Sequence, residues 1–456
     1  MIWTNLDSVY FVGIGGIGMS ALARFFRSRG KEVAGYDRTF TALTDQLARE
    51  QITIHFEDHP LRIPSAFRNP ERTLVIWTPA VPETNLELKY FRNNGFRVIK
   101  RSTALGELFN AGRGIAVAGT HAKTSVSTML ACIMSQSLNG CNAFLGGISK
   151  NFDSNLVIHP TSETIIAEAD EYDRSFLALF PEMAVITSID DDHMDVYGSH
   201  DNLVAGFEAF VRQIREKGTL ILKQGLQLAF PDHLDVFTYA LDDPQADYHV
   251  VKRKVVEGRY RFTVKTPKNI FDVHLGVPGL LNVENAVAAI ALADQAGVLM
   301  EQIIQGLQQF SGVKRRFDVQ VMKENRIYID DYAHHPEELK AFITSVREMF
   351  PGKKITGIFQ PHLYSRTRDF ATGFAESLSL LDELVLLEIY PAREEPIPGV
   401  SAEMIFREVD LAEKVLVSDQ QLVRVLKERD PEVLLTMGAG DIDRLVEPVK
   451  SWMEKL

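Results

Sequence analysis

The sequence predicts an α/β fold in three domains, with boundaries near residues 110 and 312. Three observations predict it. Short apolar runs alternate with helical patterns along most of the chain. Two of those runs feed small-residue turns that open helices, at 13–18 and 119–125. The alternation breaks once, at 248–277, into a period-two pattern of antiparallel strands, and resumes after 313.

The 456 residues suffice for three cores of ordinary size. A formal charge of −12 argues against a nucleic-acid or anionic-membrane surface as partner. Cys132 and Cys141 are the two cysteines and lack metal-type spacing, which suits a reduced, cytoplasmic protein. No leader pattern and no bilayer-length apolar stretch stand out, so the expectation is a soluble intracellular protein, monomer or homodimer.

The first domain (1–110) opens with a buried strand at 8–12 and the turn GIGGIGMSALA. Gly13, Gly15 and Gly18 have the G-x-G-x-x-G spacing, and Asp37 closes the next strand. This Rossmann-like layout puts a pyrophosphate at the helix N-terminus, with the acid toward a ribose or base. NAD, FAD, a UDP-sugar or a purely structural turn all satisfy it. Runs at 74–77, ending in TPAVP, and at 98–100, then a helix over 104–110, complete the domain.

The central domain (111–312) carries a phosphate loop of P-loop type. The run 115–118 leads into GTHAKTS and a helix over 126–136. Backbone N–H groups of Gly119, Thr120, His121 and Ala122 face an anion there, Lys123 adds a charge, and the Thr124 and Ser125 hydroxyls follow. Ala122 stands where the usual pattern has glycine. The runs at 164–168 and 184–187 end in EADEYDRSFL and SIDDDHMD. Thr124, Glu168 and His193 are the candidate ligands for Mg²⁺, an ion that prefers oxygen donors. Histidine is an unusual ligand for it, so a hydrogen bond from His193 to a carboxylate or phosphate is the alternative. Asn282 and Asn285, three apart on a helix starting near 280, either read an adenine edge or, for Asn282, serve as a cap.

The C-terminal domain (313–456) repeats the α/β pattern as a doubly wound, Rossmann-like sheet of five or six strands. Strand ends carry DDYAHHPEE, QPHLYSRTRD, YPAREEPIPG and GAGDID. His334, His335, His362, Arg366 and Arg368 gather at one sheet edge in this reading. That chemistry suits a carboxylate or phosphate, with surface salt bridging as the alternative for any single arginine.

Taken in order along the whole chain, these segments resemble the Mur ligase family. GIGGIGMSALA is similar to its uridine-nucleotide loop, GTHAKTS to its ATP loop, and EADEYDRSFL and DDDHMD to its acidic magnesium-site motifs. GLLNVEN falls where the family contacts adenine, and RRF, DDYAHHP, QPHLYSRTRD and PAREEPIPG resemble its substrate segments. Departures occur at Ala122, at Ser188 (usually Asn), at Leu281 (usually His), at Leu363 (often Arg) and in Trp77-Thr78-Pro79-Ala80.

The resemblance implies an ATP-dependent ligase joining L-alanine to the lactyl carboxylate of UDP-N-acetylmuramate through an acyl phosphate. ATP contacts fall on Gly119 to Ser125, Asn282, Asn285, Arg316 and Asp331. UDP-sugar contacts fall on Gly13, Gly15, Gly16, Ile17, Gly18, Asp37, Thr78, Ala80 and His121. Tyr332, His335, His362 and Arg366 hold the amino acid and carboxylate, and Lys123, His334 and Arg366 are the catalytic candidates, with His334 as base. Each domain brings one substrate, so closure precedes chemistry. Two rivals remain: a recycling ligase that adds a preformed peptide, which the GIGGIGMS loop opposes, and a dehydrogenase-like nucleotide-binding protein.

Overall fold

The structure is a computed structural model and describes residues 6–191, 194–392 and 394–455. It contains three sheets. In the N-terminal sheet the strands run in the order Thr53–His55, Glu32–Tyr36, Ser8–Val12, Thr73–Trp77, Arg97–Lys100, each pair parallel. Ser8–Val12 lies at its centre and is buried along its whole length, as an apolar strand covered on both faces must be. The topology reverses at this strand, so the turn that follows it opens at a natural ligand crevice.

The central sheet has ten strands. Arg113–Ala118 pairs in parallel with Met183–Ile186 on one side and Thr164–Ala169 on the other. The sequence reading missed four of the ten: Asn142–Ser149, Ser154–Val157, Thr219–Lys223 and Asp235–Ala240. The meander Tyr248–Val256, Arg259–Lys265, Ile270–His274 continues this sheet, because Asp235–Ala240 pairs in parallel with its first strand. Its first turn uses Glu257 and Gly258, both at positive φ, as a two-residue hairpin requires.

The C-terminal sheet has six strands in the order Asp318–Lys323, Arg326–Asp331, Val433–Met437, Ile355–Phe359, Glu383–Leu387, Lys414–Val417. The first pair is antiparallel and the rest are parallel. Among the described residues no helix is long and apolar enough to cross a membrane. Both cysteines are free and buried, and burial pushes the Cys132 thiol up to about 11.

By compactness the chain forms two units. The first runs through Lys252 and takes in Phe262–His274 and Asn285–Ser311; the second comprises Arg253–Arg261, Leu275–Glu284 and the chain from Gly312 onward. The N-terminal sheet and the central sheet, apart from the hairpin end Arg253–Arg261, thus fall in one unit. One apolar core spans both: Phe11, Leu22 and Phe26 belong to the same buried cluster as Ala116, Phe144 and Phe207. A buried polar contact also links them. Asn155, fully buried, donates to the Ser20 hydroxyl at 2.9 Å and to the Ile17 carbonyl, and accepts from Arg24.

Candidate active site

In the first unit the phosphate loop leaves Ala118 through Gly119 at φ 132°. A Cβ there would lie 2.1 Å from the Thr187 hydroxyl, so glycine is needed both for the angle and for the space. The neighbouring strand end clamps the loop. Thr187 donates its hydroxyl to the His121 carbonyl at 2.6 Å, and Ser188 Oγ accepts the His121 N–H at 2.9 Å. Ala122 adopts φ 68°, ψ −7°, the left-handed region, directly before the helix Lys123–Met134. The glycine preference at this position therefore has a cause in the backbone, and alanine bears it as strain.

Lys123 folds back over its own loop. Its Nζ donates to the Gly119 carbonyl at 2.6 Å and to both Glu171 oxygens at 2.9 and 2.8 Å. Burial works against the ammonium charge, but Glu171 and Asp170 outweigh it and hold the pKa above its ordinary value. Glu171 was not singled out in the sequence, although it lies in the acidic run that was. Spacing alone could not say which of its carboxylates would turn toward the lysine.

Glu168, the penultimate residue of the strand Thr164–Ala169, lies beside Thr124. Thr124 Oγ1 and Ser127 Oγ each donate to it at 3.1 Å, and the Gly146 N–H does so too. A Cβ on Gly146 would overlap the carboxylate at 2.3 Å, so this glycine is what lets the backbone approach. The donor set of Thr124 and Glu168, a hydroxyl and a carboxylate on adjacent elements, consists of hard oxygens and fits Mg²⁺. His193, the third expected ligand, lies outside the described residues. Among the described residues no cluster of three His, Cys, Asp or Glu side chains is placed for a metal.

The first glycine loop faces the same region. Gly13 takes φ 89°, and a Cβ there would lie 2.6 Å from Thr78. The Gly15 N–H donates to Asp37 Oδ2 at 2.7 Å, so the acid that ends the second strand braces the loop. Thr78 Oγ1 meets the Ala80 N–H only at 3.5 Å, a marginal contact. A cavity of about 260 Å³ has Gly16, Ile17, Gly18, Thr78 and Arg101 on one side and Gly146, Glu168 and Asp170 on the other. Arg101, which sequence reasoning missed, lies 4.0 Å from Asp170 and would touch a Cβ at Gly18.

The second unit gathers most of the remaining candidates. Asp331, at the end of Arg326–Asp331, accepts the Phe317 and Ala333 N–H groups at 2.6 and 2.7 Å. Burial nevertheless pushes its carboxyl up to about 7, against the pull of Arg316. Arg316 lies over the Tyr332 ring, its guanidinium carbon 4.8 Å from the centroid. His334 Nδ1 sits 3.0 Å from the Tyr332 carbonyl and 3.1 Å from Glu338. Both partners only accept, so Nδ1 carries the proton and Nε2 is the basic nitrogen. His362 stacks on Tyr390 at 5.8 Å and meets His334 edge-on at 6.3 Å.

Two candidates turn into the fold. His335 is 4% exposed and packs on Phe370 at 4.8 Å, inside the fold rather than at the rim. Asn282 turns its amide back to the Pro278 carbonyl at 2.7 Å, stabilising the turn before its helix, while Asn285 is half-buried one turn on. Arg366 lies in the first turn of Tyr364–Leu378, after Leu363 at φ 71°, ψ 138°. Glu394, missed in the sequence, accepts the Ser365 N–H at 3.0 Å and ties the PAREEP loop to that helix start.

Family models cover nearly the whole chain: the Mur ligase family catalytic domain at 8–113, the Mur ligase middle domain at 117–293, and the Mur ligase glutamate ligase domain at 315–440. The chain belongs to the Mur ligase family. Among curated Mur ligases, the UDP-N-acetylmuramate–L-alanine ligase of Parabacteroides distasonis is 51% identical over 449 residues, spanning 98% of this chain and 97% of that protein. The crystal structure of UDP-N-acetylmuramate-alanine ligase from Thermotoga maritima matches with a TM-score of 0.82 at 28% identity, covering 98% of this chain and all of that one. A murein peptide ligase from Psychrobacter arcticus covers 99% of both chains with a TM-score of 0.70 at 20% identity, a likeness of Mur ligase fold alone.

Proposed function

We propose that this chain is an ATP-dependent ligase that joins L-alanine to UDP-N-acetylmuramate, a step in peptidoglycan synthesis. One observation carries it. The sugar-nucleotide type of glycine loop and the Glu168 carboxylate beside the ATP-type loop line a single cavity in the first unit. A phosphoryl donor and a nucleotide-sugar carboxylate can therefore be served from one space. The full-length likeness to L-alanine ligases supplies the identity of the amino acid.

ATP binds through the backbone N–H groups of the Gly119–Ser125 loop and the N-terminus of Lys123–Met134. Lys123, kept protonated by Glu171, offsets phosphate charge at the loop. Thr124 and Glu168 would hold Mg²⁺, which supplies charge neutralisation for phosphoryl transfer. Transfer to the lactyl carboxylate gives an acyl phosphate and ADP. The amine of L-alanine attacks the acyl carbon, and phosphate leaves as the amide forms. In this reading His334 Nε2 takes the amine proton, and the contacts of its Nδ1 with Tyr332 and Glu338 support that role by fixing the ring. Arg366 and His362 bind carboxylate, and Arg316 and Asp331 complete the nucleotide contacts.

Phosphate release measured with each component omitted in turn tests this reading. Release should require UDP-N-acetylmuramate, L-alanine, ATP and Mg²⁺ together. AMP and pyrophosphate as products, or turnover only with a preformed peptide, would overturn it.

A further inference from the structure

Phe40 and Phe56 are 67% and 39% exposed, and they pack edge-to-face on each other with ring centroids 5.8 Å apart. Nothing in the local fold requires either ring outside. Phe40 precedes the cap Thr41 of the helix Ala42–Arg49, where an apolar residue ordinarily staples onto the fourth helical position. That position is Asp45, which offers Phe40 no apolar partner. Phe56 follows the last residue of the strand Thr53–His55. Two large apolar rings held in water cost solvation unless something covers them.

Their place in the sheet says what covers them. Asp37, just past the end of Glu32–Tyr36, braces the glycine loop through Gly15 and donates its own N–H to the His55 carbonyl at 3.1 Å. Phe40 lies three residues past Asp37 and Phe56 one residue past His55, so both rings stand at the carboxyl edge of adjacent strands, beyond the acid. In a sheet of this order a nucleotide runs outward from the loop: diphosphate on the helix N-terminus, ribose by the acid, base past the acid. We infer that Phe40 and Phe56 form the stacking platform for the pyrimidine base of the sugar nucleotide. The inference rests on the proposed UDP-sugar reading of this loop and adds the base-binding residues to it. Stacking has little dependence on base identity, because every base offers a π-face.

The test uses the full chain with Phe40→Ser, Phe56→Ser and Phe40→Tyr. Both rings are exposed, so melting temperatures should match the wild type. Either serine substitution should raise the KM for UDP-N-acetylmuramate, and the Kd for UDP by calorimetry, about five- to a hundredfold. The KM for ATP should stay within twofold, and Phe40→Tyr should recover most of the affinity. Unchanged KM and Kd in both serine variants would overturn the platform. So would a change confined to sedimentation, which would make the rings a contact between copies. A wild type that binds UDP in a Phe40-dependent way but forms no amide would uphold the platform and overturn the ligase reading. An active wild type indifferent to both substitutions would do the reverse.

Discussion

Lys123 and Glu171 form an ion pair inside the phosphate loop, with the carboxylate fully buried and the ammonium 2.8 Å from its nearer oxygen. Removing one partner of such a pair leaves a buried charge uncompensated, which costs about 3–5 kcal/mol. Lys123→Ala should therefore lower stability by that order as well as abolish turnover, while calorimetric binding of UDP-N-acetylmuramate stays near normal. The double variant Lys123→Met/Glu171→Leu should recover most of the lost stability and none of the turnover. Full stability in the single variant would show that water reaches Glu171 and that the pair is weak.

Ala122 bears left-handed backbone strain at φ 68°. A non-glycine residue pays about 1–2 kcal/mol in that region, and glycine returns part of it as unfolded-chain entropy, about 0.5–1 kcal/mol. Ala122→Gly should stabilise the chain by up to about 1 kcal/mol. Where the loop tightens on ATP, kcat/KM for ATP should rise by up to roughly fivefold. A lower denaturation midpoint with unchanged ATP kinetics would contradict the strain account.

Asn155 is the one residue through which the strand Ser154–Val157 grips the helix that follows the first glycine loop with side-chain hydrogen bonds to Ile17, Ser20 and Arg24. Arg24 in turn is doubly held by Glu50. Asn155→Ala leaves buried donors and acceptors unmet, each worth about 1–3 kcal/mol. Beyond the stability loss, the KM for UDP-N-acetylmuramate should rise severalfold with the KM for ATP nearly constant. Equal rises in both constants would mean general loosening rather than positioning.

Glu87 is fully buried, accepts the Tyr10 hydroxyl at 2.7 Å and lies 3.3 Å from His55. Burial pushes its carboxyl from 4.5 up to about 7. The folded state thus keeps a proton that the unfolded chain releases. Its contribution to stability is complete below about pH 4.5 and is lost as pH rises through about 7. Glu87→Gln should flatten that part of the stability–pH curve. A variant whose curve parallels the wild type across this window would assign the titration elsewhere.

Much of the site was legible because its signals are local. The two glycine loops, the acid-bearing ends at Glu168 and Asp331 and the histidines at 334 and 362 follow from turn stereochemistry and strand period, which neighbouring residues enforce. The strands Asn142–Ser149 and Ser154–Val157 were not legible, since the first is interrupted by Gly146 and Gly147 and the second is four residues long, so neither gives a clean periodic signal. Gly146 and Asn155, which act from those strands, went unseen with them.

The sequence by itself determined the α/β alternation, the presence of alanine where a phosphate loop usually has glycine and the residues available at each strand end, because all three are read from residues a few positions apart. That Ala122 is left-handed came from the structure. The tertiary structure alone decided that Glu171 rather than Glu168 receives Lys123, that His335 packs on Phe370, and that Phe40 meets Phe56. It also decided that the N-terminal and central sheets share one core. Those outcomes depend on how strands far apart in the chain align, and each apolar or charged side chain had several partners of equal local merit until packing selected one.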